Sequence, residues 1–198
     1  MEWEVTEMDK RTMVCRSTEY RAAEENGELY IEGYFAVFNS VYEIEPGLTE
    51  SISPGAFSKA LGGDIRALTN HDTTLVLGRT KARTLELRED GHGLWGRVCI
   101  NREDSDAMNL YHRVQRGDVN QCSFGFEISK ETTELRDDGS VHFTMEEISP
   151  LYEVTVATFP AYESTAVAAR SAQAEQIKRR TAQAWKETMK NRLKGSAT

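Results

Sequence analysis

The chain has 198 residues, 28% of them charged, and a formal net charge of −8. This length suits one domain with a core plus a tail, and the acidic balance argues against a general nucleic-acid-binding protein. The sequence has neither an apolar run of membrane-spanning length nor an apolar signal core at its N-terminus, so we expect a soluble protein that is neither membrane-bound nor exported. The three cysteines are widely spaced and lack zinc-site spacing, which indicates reduced thiols and no metal.

The first quarter of the chain predicts strands separated by turns. Residues 1–28 are polar and predict at most one strand. Tyr, Phe, Ile and Val are frequent in 28–40, which predicts a strand with a bulge at Gly33. A serine–proline pair then predicts the start of a short helix over 54–61, ended by two glycines.

The middle of the chain continues with short elements. Residues 64–72 and 74–81 are strand candidates. Apolar residues alternate with polar ones on both sides of an acidic turn in 83–100, which predicts a β-hairpin. Residues 102–118 carry an apolar stripe at helical spacing, and Gly117 is suited to end that helix.

The last third begins with strands and ends in a segment of different composition. Two strands flank a turn at 136–140, and 146–162 predicts another strong strand. From about residue 168 the chain is rich in Ala, Gln, Lys and Arg, which indicates a basic tail that is helical or partly disordered. Many short strands with few helices favour a mainly β, α+β fold, either a barrel or a sandwich decorated with helices.

The stretch "VNQCSFGFEI", residues 119–128, carries a thiol and a hydroxyl at the start of a predicted strand. Side chains alternate between the faces of a strand, so Cys122 falls on the apolar, core-facing side, where burial blunts its reactivity. Ser123 points the other way, and Gly125 leaves space above the strand for a substrate. The pattern alone favours an ordinary strand serine over a nucleophile.

A serine nucleophile needs a base, and the chain offers four histidines. His92 lies in a turn, His112 on a helix surface and His142 on a peripheral strand. His71, in "NHD" at the end of a strand, is the histidine best placed to be held rigidly, although a lone histidine in such a sequence more often serves a turn or a cap.

Glu153 is an acidic residue within the apolar strand "LYEVTVATFPAY". It lies on the face opposite the strand's hydrophobic side chains, and an isolated carboxylate there is costly unless it is paired. Two partners are open at this point: an arginine in an ordinary salt bridge, or His71.

Several segments together, in this order and spacing, resemble the tailed-phage prohead maturation proteases, which look related to the herpesvirus assemblins. The segments are "GYFAVFN", "SPGAF", "NHD…LGR", "CSFGFEI" and "EVTVATFPAY". The resemblance implies a closed or partly open β-barrel surrounded by helices, as in the herpesvirus proteases. It divides the chain into a polar segment (1–28), a protease domain (29–169) and a basic tail (170–198).

The same resemblance assigns catalytic roles. It makes His71 the general base and Ser123 the nucleophile. Glu153 is the preferred third member, with His142 as the alternative, because the herpesvirus branch uses a second histidine. Backbone N–H groups near Gly78 and Arg79 or in the Gly125 region would hold the oxyanion.

The resemblance therefore predicts a serine endopeptidase that acts in the assembling prohead, in the host cytoplasm. Its expected substrates are the major capsid protein with its scaffolding segment and its own terminus, and a homodimer is expected by analogy. No cofactor, metal, nucleic acid or membrane partner is expected. The alternative from another functional class is a non-catalytic scaffolding or capsid-assembly protein with the same fold.

Overall fold

Eleven strands and two helices make up the described part of the chain, which comprises residues 11–15, 20–159 and 164–195 of a computed structural model. In chain order they are β1 (Arg11–Cys15), β2 (Arg21–Glu25), β3 (Glu28–Val37), β4 (Tyr42–Glu45), β5 (Leu48–Ile52), β6 (Arg66–Thr69), β7 (Asp72–Arg79), β8 (Leu85–Glu89), β9 (Gly93–Ile100), α1 (Ser105–Arg116), β10 (Gln121–Leu135), β11 (Val141–Ala157) and α2 (Ser164–Gly195). The predicted mainly β, α+β class is confirmed.

The strands form two sheets. The long β10–β11 hairpin lies at the centre of a seven-stranded sheet of order β1-β10-β11-β5-β4, with β6 paired to β11 and β7 paired to β6. The second sheet has four strands in the order β2-β3-β9-β8. The sequence predicted a closed or partly open barrel; within the described ranges no strand pairing closes either sheet, so the closed form is wrong. The herpesvirus-protease-like arrangement stays a prediction.

The core lies between the two sheets and contains the apolar face of β10. Phe124 and Phe126 are 0% and 1% exposed, and the ring of Phe124 packs edge-on against Phe57 at a centroid distance of 5.5 Å. Full burial of one such side chain contributes roughly 1.5–3 kcal/mol before entropic costs are counted. Because this face is buried, the opposite face of β10 is the one that carries Ser123.

The helix prediction for 102–118 is confirmed with sharper ends. The side chain of Asp104 accepts hydrogen bonds from two backbone N–H groups in the first turn of α1, and Gly117 ends the helix in a left-handed conformation, with φ of 84°. The short helix predicted over 54–61 is wrong, because this segment forms turns. The φ of +91° at Gly55 interrupts the helical backbone near the start of the segment.

Two further differences concern strands. The polar segment 1–28 contributes β1 and β2, although at most one strand was predicted there. The irregularity predicted at Gly33 lies between Tyr34 and Ala36, where the register of β3 against β9 shifts. β1 and the shift in β3 depend on pairing with the distant strands β10 and β9. β2 instead pairs with its neighbour β3 across the local turn at Asn26 and Gly27.

The first turns of α2 are anchored to the large sheet by a buried arginine. Arg170 is 3% exposed; its guanidinium lies 2.8 Å from a carboxylate oxygen of Glu131 and 3.3 Å from one of Glu50. The same group lies 4.1 Å from the ring centroid of Phe143. Because α2 begins at Ser164, the helix crosses the predicted boundary between protease domain and tail.

Beyond this anchor α2 is largely exposed. Ala174 still packs in a small apolar cluster on the sheet, but Trp185 is 61% exposed. Of the helices in the part of the chain that the structure describes, none is long and apolar enough to cross a membrane.

Replacement of Arg170 tests the anchor. Arg170→Ala removes the cation that faces two buried carboxylates, so we expect the free energy of unfolding to fall by about 3 kcal/mol or more. Urea denaturation followed by circular dichroism measures the change. Arg179→Ala, an exposed site on the same helix, is the matched control and should change stability by less than about 0.5 kcal/mol. Equal stability of the two variants would contradict the anchoring role.

Candidate active site

A tight turn between β6 and β7 carries His71. Asn70 and His71 have φ values of 49° and 59°, so both residues of this two-residue connection are left-handed, as a type I′ hairpin turn requires. Left-handed non-glycine residues are uncommon, and asparagine and histidine are among those that adopt this conformation most often. The backbone N–H of Asn70 donates to the carbonyl of Val156 at 3.0 Å, and the Asn70 side-chain oxygen accepts from the N–H of Thr158 at 2.9 Å. The turn is thereby fixed to the end of β11.

The imidazole of His71 contacts the carboxylate of Glu153. His71 Nδ1 lies 2.7 Å from Glu153 Oε1, and the side chain of Glu153 is 10% exposed. The hydroxyl of Thr155 donates to Glu153 Oε2 at 2.6 Å, so both carboxylate oxygens are bonded. Arg66, which shares the register position of Glu153 in β6, pairs with Asp64. Of the two partners considered for Glu153, the structure therefore shows the histidine.

Ser123 shares a face of the sheet with these groups. In the antiparallel β10–β11 pair, Ser123 lies opposite Thr155 and Gly125 lies opposite Glu153. Directly opposed residues of such a pair project from the same face, so Ser123, Thr155 and Glu153 all lie on it. The sheet thus brings the predicted nucleophile close to the predicted base and its carboxylate.

The hydrogen bond between Ser123 and His71 is not formed. Ser123 is 0% exposed. Nε2 of His71 is buried and has no hydrogen-bond partner among the described residues. Catalytic hydrogen bonds are often long or absent in free enzymes and shorten when substrate binds.

Gly125 makes room for Glu153. A Cβ at this position would lie 2.6 Å from Glu153 Oε1. The space above Gly125, predicted to admit a substrate, is therefore filled by the carboxylate, and that prediction is wrong. A side chain at this position would have to shift the carboxylate that holds His71.

Cys122 is buried on the core side, as the alternation predicted. It is 0% exposed, and its Sγ donates to the backbone carbonyl of Tyr34 at 3.2 Å. The thiol faces the second sheet, on the opposite side of β10 from Ser123.

His142, the alternative third residue, lies at the far end of β11. Its ring nitrogens contact the hydroxyls of Thr49 at 2.7 Å and Ser51 at 2.9 Å. Thr155, the residue opposite Ser123, lies far from His142 along β11. At about 3.3 Å per residue, a straight strand would separate the two by a distance on the order of 40 Å. His142 is thus a bonded structural histidine remote from Ser123. His92 and His112 are exposed.

Two supporting residues, Asn70 and Thr155, received no role from the sequence. Asparagine before histidine at a strand end is a signal for a left-handed turn. Threonine two residues after Glu153 is a signal for a hydroxyl on the same face. No cluster of three or more His, Cys, Asp or Glu side chains that could hold a metal ion occurs among the residues that the structure describes.

The region near Gly78, one of the two considered for the oxyanion, is tightly packed. A Cβ at Gly78 would lie 2.7 Å from the carbonyl oxygen of Thr84. The guanidinium of the next residue, Arg79, binds Asp64 and holds the pKa of that carboxyl at about 2. Arg79 is therefore already engaged in an ion pair.

Comparison with known proteins gives the following matches. The profile of the caudovirus prohead serine proteases matches residues 16–180. The prohead protease of Enterobacteria phage HK97 is 31% identical over 163 residues, which cover 80% of this chain and 68% of the relative. The solved structure of the bacteriophage T4 capsid assembly protease has 13% sequence identity and a TM-score of 0.48, and the match covers 77% of this chain and 98% of that one.

Gly125→Ala tests the steric requirement at Glu153. The added methyl should displace the carboxylate and break its bond to His71 Nδ1. We expect the downfield proton NMR signal of a hydrogen-bonded imidazole N–H, present in the parent protein, to be lost in Gly125→Ala and in Glu153→Gln. Gly62→Ala is the control, because no atom lies within 4 Å of its added carbon. Retention of the signal in Gly125→Ala would show that the carboxylate has room to stay.

The stability of the protein should depend on pH through His142. Burial, followed by the neighbouring Arg136, lowers the pKa of His142 below its usual value of 6.5, and Glu134 opposes this only in part. As pH falls through about 6.5, the unfolded chain therefore binds a proton that the folded protein resists, and folding stability decreases.

Chemical denaturation of the parent and of His142→Gln measures this effect. The measurements run from pH 5 to 8, about 1.5 units on either side of the ordinary histidine pKa. The variant should lose less stability on acidification than the parent does, whereas the exposed-site control His112→Gln should behave like the parent. Parallel curves for all three proteins would exclude His142 as a source of the pH dependence.

Proposed function

This chain belongs to the family of caudovirus prohead serine proteases, and on that premise we propose that Ser123 is its nucleophile, His71 its general base and Glu153 the group that orients His71. The observation that carries the proposal is the 2.7 Å contact between His71 Nδ1 and Glu153, on the sheet face that Ser123 shares.

The chemistry of this contact supports the roles. An ionised carboxylate only accepts hydrogen bonds, so Nδ1 of His71 is the donor to Glu153, and in the neutral imidazole Nε2 is then the acceptor. That is the tautomer a general base needs to take a proton from a serine hydroxyl. The bond from Thr155 to the second oxygen of Glu153 holds the carboxylate in place for this purpose.

The proposed reaction follows from these assignments. His71 takes the proton of Ser123 as the serine oxygen attacks a peptide carbonyl, and then gives it to the leaving amine. Water, activated by His71 in the same way, hydrolyses the acyl-enzyme. Backbone N–H groups that hold the oxyanion contribute about 3 kcal/mol to the barrier reduction in enzymes of this kind.

The proposal extends to substrates and setting. By analogy with the family and with the relative named a prohead protease, the chain cleaves the major capsid protein at its scaffolding segment, and its own terminus. It acts inside the assembling prohead in the host cytoplasm, as a homodimer. A protease domain (29–169) in a partly open, herpesvirus-protease-like arrangement and a basic tail (170–198) belong to the same proposal.

One observation favours a second function. Ser123 is fully buried and His71 Nε2 has no described partner, which would suit a non-catalytic scaffolding or assembly protein that kept the fold. The oriented histidine favours the enzyme, because a general base needs an imidazole held by an orienting group, and Glu153 holds His71 in this way.

Co-expression of each variant with the cognate capsid protein, followed by intact-mass spectrometry, tests the proposal. The parent should trim both the capsid protein and itself, and Ser123→Ala should trim neither. Glu153→Gln should retain the fold but cleave on the order of 10²–10⁴-fold more slowly, because the imidazole loses its orienting carboxylate.

Ser129→Ala is the matched control on the same strand and should cleave like the parent. Cleavage by Ser123→Ala at the rate of the parent would overturn the nucleophile. A parent that assembles with the capsid protein but trims nothing would favour the scaffolding function.

A further inference from the structure

The strand that carries Ser123 is covered on its outer edge by the chain's own N-terminal segment. β1 pairs antiparallel with β10, and the register runs from Arg11 opposite Phe126 to Cys15 opposite Cys122. Val14 lies opposite Ser123. The candidate nucleophile therefore lies on a central strand, with β11 on one side and β1 on the other, and its side chain is 0% exposed.

This position is the one that an extended peptide would take. Peptides commonly bind by adding a strand to an exposed sheet edge, where backbone hydrogen bonds supply affinity independently of sequence. With β1 removed, residues 122–126 would present an unpaired edge next to Ser123. An antiparallel peptide on that edge would run alongside Ser123 in the register that β1 now takes.

β1 is also suited to leave. It is the terminal strand of the large sheet, and among the described strands it pairs with β10 alone. Its departure would break no other strand pairing. The match to the prohead protease family begins at residue 16, so the shared part of the chain does not include β1.

We propose that residues 11–15 occupy the peptide-binding edge of β10 as an internal strand. This structure is therefore the closed form of the protein. Another extended peptide binds to the edge after β1 leaves. This rests on the proposed role of Ser123. The closed form fits the absence of a hydrogen bond between His71 Nε2 and Ser123, because the edge at which a peptide would align them is covered by β1.

The test uses the full-length chain with two prolines in β1. Thr12→Pro/Val14→Pro removes two backbone donors and disfavours the strand, whereas Val5→Pro/Glu7→Pro makes the same chemical change outside β1. Each protein is treated with a fluorophosphonate, which labels activated serines, and labelling at Ser123 is followed by peptide mass spectrometry. We expect the β1 variant to label at least tenfold faster than the parent and the control. A synthetic peptide of residues 9–17 should slow that labelling.

Hydrogen–deuterium exchange of the same proteins in a Ser123→Ala background gives a readout independent of catalysis. Amides of 122–126 should exchange faster in the β1 variant, while those of β3 and β9 stay protected and show that the fold is intact. Equal exchange in all forms would show that β1 does not cover this edge.

The labelling results separate the two proposals. Faster exchange with equal labelling rates would overturn the closure while leaving Ser123 as the nucleophile. Faster exchange with no labelling in any form would overturn the role of Ser123, and the closure that rests on it.

Discussion

The candidate site depends on one buried hydrogen bond, that between Glu153 and His71. A carboxylate within a sheet is stable only if its oxygens are bonded, and His71 and Thr155 together satisfy both. Because removal of either partner leaves a buried charge short of a bond, the site and the stability of the sheet are linked. The backbone around Glu153 is arranged to make this bond, since Gly125 provides the space and parallel β6 brings the turn alongside.

The turn between β6 and β7 holds the imidazole of His71 in the orientation that this bond requires. A left-handed non-glycine residue costs on the order of 1–3 kcal/mol, and two occur in succession at Asn70 and His71. The bonds from Asn70 to the end of β11 offset part of this cost. The histidine thus approaches Glu153 from a rigid connection between two paired strands, which restricts the ring more than a long loop would.

Local patterns in the sequence predicted those parts of the structure that depend on local physics. The two-residue period placed Cys122 in the core and Ser123 on the other face, and capping residues located α1. The sequence left two partners for Glu153 open, an arginine or His71. Alternation gives the face on which a side chain lies but not its partner across the sheet.

Several of the features that were missed depend on contacts between residues distant in sequence. The space at Gly125 is filled by a side chain from β11, and no pattern within β10 reports it. β1 has no periodic signal and is a strand because β10 offers it an edge. At 54–61 the error was local: Pro54-Gly55 is a turn signal, and Gly55 adopts the positive φ that such a turn requires.

The anchoring of α2 through Arg170 gives the molecule a permanent charge separation. Residues 178–195 carry seven lysines and arginines and one glutamate, a net charge of +6. Because the whole chain carries −8, the remaining residues together carry −14. At about 1.5 Å per residue, this part of the helix extends the positive charge by roughly 27 Å along a rigid axis. The protein is therefore an electric dipole as well as an acidic body. Near a charged surface it experiences a torque that turns it before any contact forms, and this preferred orientation weakens as salt concentration rises.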